Sequence, residues 1–128
     1  MIRGFAVSQL GLKTALDSVK ESCRELQIND EVANRLCVIV DETVANMIMH
    51  GGLSDSEEFR LALSQLESGA RLEISDPGAE FDPVHWPPDG HSGPGGRGIA
   101  LTKGLAHDIE YARSGNRNFL TVSVFADV

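Results

Sequence analysis

Val40-Asp41-Glu42-Thr43-Val44-Ala45-Asn46-Met47-Ile48-Met49-His50-Gly51 is the stretch whose reading decides the fold. Glu42, Asn46 and His50 stand four residues apart, and four helical steps turn only about 40°, so the three share one stripe of a helix. Leu36, Val40, Val44 and Met47 form the neighbouring apolar stripe, which must face a sheet. The polar trio therefore sits at the margin of the buried face, where a ligand has room between helix and loop. Taken alone, an acid, an amide and an imidazole on a helix are more often solvated or capping groups.

Upstream, Asn29-Asp30 offers an N-cap and Glu31 places an acid in the first turn. A long helix is expected from there to about His50, with Gly51-Gly52 as its C-terminal stop. From Leu10, the apolar positions Leu12, Leu16, Val19, Cys23 and Leu26 recur at three- and four-residue steps, which predicts a second amphipathic helix. Ile2 to Ser8 is short and mixed, an edge strand. Downstream, Phe59, Leu61 and Leu63 alternate with Arg60, Ala62 and Ser64, the period of a half-buried strand. Ser68-Gly69 signals a turn, and Arg71 to Ser75 reads as the returning strand. Asp76 to Gly98 is too dense in proline and glycine for regular structure, and a loop of that length inside one domain points to function. A helix is expected from near Gly98 to about Ala106. Ile109 to Arg113 and Phe119 to Phe125 then flank a Gly115-Asn116 hairpin turn. Segregated helices and mostly antiparallel strands predict an α/β (α+β) two-layer sandwich, a mixed, mostly antiparallel sheet covered on one face by helices.

The 128 residues fit one domain, 1–128. The formal net charge is −8, with 11 basic against 19 acidic residues and no Lys/Arg run, which argues against nucleic acid as a direct partner. An acidic chain can still hold phosphates, because backbone amides and a divalent cation handle them locally. Cys23 and Cys37 fall in helical patterns without metal-ligand spacing. No basic segment leads into an apolar core at the N-terminus, and no apolar run approaches a membrane span, so the chain reads as soluble and cytoplasmic.

Two further motifs carry chemistry. Asp76-Pro77-Gly78 directly follows a strand; its carboxylate can accept from a base amino group while the chain turns beneath it, although Asp-Pro-Gly is also a generic turn. Gly93-Pro94-Gly95-Gly96-Arg97-Gly98-Ile99-Ala100-Leu101 places glycines before a helix start, where free N–H groups can meet phosphates and Arg97 can add a charge-assisted contact. No Gly-Lys-Ser/Thr follows, so this is not a Walker loop, and no strand leads directly into it, so it is not a Rossmann fingerprint. Alone, it is equally a flexible connector.

The three motifs together, Glu-x-x-x-Asn on a helix, Asp-x-Gly after a strand and a glycine-rich loop into a helix, resemble the GHKL ATPases. Within that superfamily the string from Val40 to Gly51, with Asp76 to Pro83 and Gly96 to Leu101, is similar to the anti-sigma-factor serine/threonine kinases over nearly the whole chain. The resemblance implies that Asn46 coordinates the Mg²⁺ bridging the ATP phosphates, and that Glu42 is the general base for an incoming serine or threonine hydroxyl. It implies that Asp76 holds the adenine amino group with Gly78 beside it, and that Gly96, Gly98 and Ile99 present amides to the phosphates, assisted by Arg97. Gly95 and His50 join the nucleotide-binding set, His50 in a supporting role. The implied protein is a homodimeric kinase, paired through its first strand and helix, that phosphorylates an antagonist protein and sequesters a sigma factor.

Two departures stand out. Where the family often has Thr near the start of the last strand, this chain has Asn118-Phe119, and Thr121 comes later. The lid between Phe81 and Gly95 carries Pro83, Pro87, Pro88 and Pro94, and Trp86 within it either plugs a local core or belongs to a partner or nucleotide surface. A regulatory module that binds ATP without significant transfer is the rival reading, against which the intact Glu42 argues. A histidine-kinase catalytic domain cut from a larger chain is less favoured, since no upstream helix with a phosphoacceptor His is present and the N-terminus reads as complete.

Overall fold

Two short polar side chains start the two long helices of the computed structural model. Ser8 Oγ accepts from the Gly11 N–H at 3.0 Å and opens α1, Gln9–Glu25. Asn29 Oδ1 accepts from the N–H groups of Glu31 at 2.8 Å and Val32 at 3.3 Å and opens α2, Asp30–His50. Each cap satisfies first-turn amides that have no helical partner, a stabilisation of about 1 kcal/mol apiece. Asp30 and Glu31 in the first turn of α2 and His50 in its last complement the helix dipole. The two glycines that end α2 divide the work. Gly51 caps it with a helical φ of −77°, and Gly52 takes the left-handed φ of +67° that turns the chain away.

The structure describes residues 1–85 and 96–126, with Gly96 and Arg97 as backbone only. Five strands, β1 (Ile2–Ala6), β2 (Glu58–Leu66), β3 (Gly69–Asp76), β4 (Asp108–Ser114) and β5 (Arg117–Phe125), and a third helix, α3 (Gly96–Leu105), complete them. The sheet order is β1-β2-β3-β5-β4 and every pairing is antiparallel. The expected mixed sheet is thus antiparallel throughout, for a topological reason. β3 and β4 run the same way, but β5 returns by a hairpin and inserts between them. Two helices between β1 and β2 likewise bring the chain back to pair antiparallel.

Strand periodicity makes one face of this sheet apolar. Phe59, Leu61 and Leu63 of β2, Ala70, Leu72 and Ile74 of β3, and Leu120, Val122 and Val124 of β5 are buried against Val19 of α1 and Leu36, Ile39, Val40 and Val44 of α2. Phe5 on β1 stacks on Phe59 with ring centroids 5.5 Å apart. The opposite face carries Arg60, Arg71, Glu73 and Glu110 and has no helical cover among the described residues. The β2–β3 turn sits one residue earlier than expected, on Glu67-Ser68, with Ser68 at φ +63°. The β4–β5 turn is Gly115-Asn116, at φ +57° and +62°, the left-handed pair that matches strand twist in a two-residue hairpin. α3 opens at Gly96, two residues ahead of the expected start. Among the described residues no helix is long and apolar enough to cross a membrane.

Candidate functional site

The last two members of the polar stripe of α2, Asn46 and His50, meet the end of β3 across a cavity of about 510 Å³. Asn46, His50, Asp76 and Ile99 line this one space, so four of the residues expected in the site are brought together. Met47, Ile74, Ile109 and Leu120 supply an apolar floor from the sandwich core, with Phe81 and Pro83 at the edge. Such a mostly apolar cleft with a few convergent polar groups is the usual form of a small-molecule site.

Asp76 is the last residue of β3 and pairs in register with Asn118 of β5. Its Oδ1 accepts from the Gly78 N–H at 2.8 Å and from Asn118 Nδ2 at 3.2 Å. Gly78 must lie close here, since a Cβ on it would stand 2.8 Å from that same oxygen and 3.2 Å from the Gly51 carbonyl. Among the described residues the hydrogen bonds to Asp76 all fall on Oδ1, so Oδ2 remains an acceptor. Arg113 Nη1 donates to the Gly78 carbonyl at 2.6 Å and to Asn118 Oδ1 at 3.1 Å, which clasps the turn onto the β4–β5 hairpin.

Glu42 does not line the cavity. One turn before Asn46, its carboxylate packs against α3 so closely that a Cβ on Gly98 would stand 2.5 Å from Oε2. The first turn of α3, with Gly96, Gly98 and Ile99, therefore lies beside Glu42, its leading amides unpaired within the helix. The side chain of Arg97 is not described, and Gly95, Trp86, Pro87, Pro88 and Pro94 lie outside the described residues.

The donor set fits a Mg²⁺ ion held with phosphates. Among the described residues no three His, Cys, Asp or Glu side chains gather into a metal site of their own, and the Asn46 carboxamide has no protein hydrogen-bond partner. Mg²⁺ is commonly held by one or two protein oxygens with the remainder from phosphate and water.

Sequence reasoning passed over Tyr111, Arg113, Thr43 and Thr102, and noted Asn118 only as a departure from pattern. Tyr111, Asn118, Thr43 and Thr102 line the cavity, and Arg113 holds its turn. Burial pushes the Tyr111 hydroxyl above its ordinary range, so it serves as a neutral donor to Asn118 Oδ1 at 2.6 Å. The signal lay in strand parity: Ile109, Tyr111 and Arg113 alternate on the inner face of β4. Between the lining residues Phe81 and Pro83, Asp82 is held below the usual carboxylate range. Burial pushes it up, but hydrogen bonds from His85 and the Val84 N–H outweigh that.

Residues 6–124 match the family of histidine kinase-like ATPase domains. Among solved structures, the RsbU and RsbW domains of Rv1364c from Mycobacterium tuberculosis align with 98% of this chain at a TM-score of 0.67 and 15% identity. The histidine kinase domain of a blue-light activated histidine kinase from Erythrobacter litoralis aligns with 73% of it at a TM-score of 0.50 and 24% identity. This chain spans 32% of the first of those chains and 47% of the second, and the likeness to both is one of fold. No curated protein matches the chain.

Proposed function

The chain belongs to the histidine kinase-like ATPase domain family, and we propose that within it this domain is an ATP- and Mg²⁺-dependent serine/threonine kinase of the anti-sigma-factor type. The observation that carries this reading is the convergence of Asn46 and Asp76 from separate elements on one cavity, with Glu42 and the amide-rich start of α3 beside them.

Asp76 Oδ2 accepts a hydrogen from the adenine amino group, and the apolar floor of Ile74, Ile109 and Leu120 takes the ring. The leading amides of α3 hold phosphate oxygens, as helix starts do. Asn46 would hold Mg²⁺, which when bound supplies charge neutralisation at the phosphates. Because Asn46 is neutral, it leaves that charge for the phosphates. Glu42 takes the proton from the attacking hydroxyl, a contribution of about 10²- to 10⁴-fold. The substrate is a serine or threonine of an antagonist protein, and a sigma factor or similar regulator is the protein sequestered. The homodimer forms through β1 and α1, where Ile2 is 85% and Leu10 is 74% exposed. A cytoplasmic location follows from such partners.

One observation favours the second reading, an ATP-binding module with little transfer: the Glu42 carboxylate rests on Gly98 and outside the cavity. Incubation with Mg-ATP labelled at the γ-phosphate and candidate antagonist proteins separates the two. The kinase places label on the antagonist, and Glu42→Ala abolishes it while ATP binding persists. ATP binding without label on any antagonist establishes the module, and absence of ATP binding overturns both.

A further inference from the structure

Asn118 is only 8% exposed, and its carboxamide has six neighbours. Nδ2 donates toward Ala79 O at 2.9 Å, Asp76 Oδ1 at 3.2 Å and Gly78 O at 3.5 Å. Oδ1 accepts from Tyr111 OH at 2.6 Å, Arg113 Nη1 at 3.1 Å and the Phe81 N–H at 3.3 Å. Three acceptors surround the nitrogen and three donors surround the oxygen. The amide therefore has one orientation, since a flip sets acceptor against acceptor on one side and donor against donor on the other. Two N–H bonds and two lone pairs are fully used by these neighbours. Although Asn118 lines the cavity, it has nothing left to offer a ligand, so its effect on one passes through Asp76.

That effect is a choice of oxygen. Asp76 Oδ1 is taken by Asn118 and the Gly78 N–H, and the Arg113 bond to the Gly78 carbonyl keeps the turn from moving with it. The carboxylate meets a ligand with Oδ2 alone. Adenine offers one exocyclic donor beside a ring acceptor, which a single oxygen satisfies. Guanine offers two adjacent donors, N1–H and the 2-amino group, which need both oxygens of a carboxylate side by side in a fork. We propose that Asn118 is a specificity-determining positioning residue that restricts this site to adenine by denying Asp76 Oδ1 to guanine. The inference rests on the reading of the cavity as a nucleotide site.

Calorimetric titration of the whole chain with Mg-ATP, Mg-GTP and Mg-ITP tests it, because the inosine base keeps N1–H and lacks the 2-amino group. In the wild type ATP binds about 100-fold tighter than GTP or more, and GTP and ITP bind within about threefold of each other, since the second donor finds no acceptor. In Asn118→Leu, with the same branched skeleton and no hydrogen-bonding groups, the ATP-over-GTP ratio falls by about tenfold or more and GTP becomes tighter than ITP. A residue that only supports the fold lowers all three affinities together, and an unchanged ratio in Asn118→Leu overturns the proposal. So does wild-type GTP binding about tenfold tighter than ITP, a comparison that also decides the matter if thermal melts show Asn118→Leu unfolded. A wild type that binds none of the three overturns the nucleotide reading and this inference with it. One that binds ATP but fails the ratios overturns this inference alone.

Discussion

Gly98 lies against the carboxylate of Glu42, with 2.5 Å between Glu42 Oε2 and the place a Cβ would take at residue 98. Glycine in the first turns of α3 is therefore a matter of space for Glu42. Gly98→Ala must push the carboxylate aside, yet it improves helix propensity by up to about 1 kcal/mol. The two effects have opposite signs on different readouts. Phosphoryl transfer is expected to fall by about 10²-fold or more while the melting temperature holds or rises. Gly104→Ala is the control in the same helix, since among the described residues nothing outside the helix's own backbone lies within 4 Å of its Cβ position, and it stabilises without slowing transfer. Equal transfer rates in the two variants remove Glu42 from the mechanism.

Asn46 lines the cavity with no protein partner for its amide among the described residues. Asn46→Ala therefore breaks no internal hydrogen bond, and its melting temperature without ligand should match the wild type. ATP affinity measured with and without Mg²⁺ should lose its difference in the variant. A metal response of wild-type size in Asn46→Ala refutes the ligand role.

The layers, and the part of the cavity wall that α2 supplies through Asn46 and His50, were legible because they obey periodicity. The α2 stripe Leu36, Val40, Val44 and Met47 is buried as its 3.6-residue spacing requires, and Asn29 caps the helix. Leu26 shows the limit. It continues the α1 spacing but falls at the C-cap, where the chain leaves the helix and the side chain is exposed. Strand direction was less legible, since β5 inserting between β3 and β4 is set by long-range pairing that no local pattern encodes. The same holds for Asn118. Its importance comes from neighbours at residues 76 to 81, some 40 positions away in sequence, and becomes visible only when β3 and β5 are in register.

Cys23 is 2% exposed on the core-facing side of α1, and burial, with a smaller contribution from Cys37, pushes its thiol from 9.0 up to about 11. Cys37 is pushed up as well, by burial against the opposing pull of Lys20. A raised thiol means the fold favours the neutral form. The stabilisation is complete below pH 9 and is lost as pH climbs towards 11. Melting temperature should decline over that window and decline less in Cys23→Ala. At pH 8 iodoacetamide should alkylate Cys23 far more slowly in the native chain than in urea, by mass spectrometry. Equal rates in the two states contradict a buried, neutral thiol.

Asp76→Asn tests the base contact through the same asymmetry of two oxygens. The substituted amide has one carbonyl oxygen and one NH₂ group. If its oxygen takes the Oδ1 place, it keeps the bonds from Gly78 N–H and Asn118 Nδ2. The NH₂ group then points at the ligand, donor against donor. If the amide flips, it meets the ligand correctly but sets its NH₂ against those two internal donors. Either way one half-buried contact is lost and the charge with it, about 1.5–3 kcal/mol for a hydrogen bond to an ionised group. ATP affinity should therefore drop by roughly 10- to 100-fold in calorimetry, with Mg²⁺ present throughout. Affinity for inorganic triphosphate, which has no base, should not change. A parallel loss for triphosphate places Asp76 at the phosphates, and an unchanged ATP affinity removes it from the site.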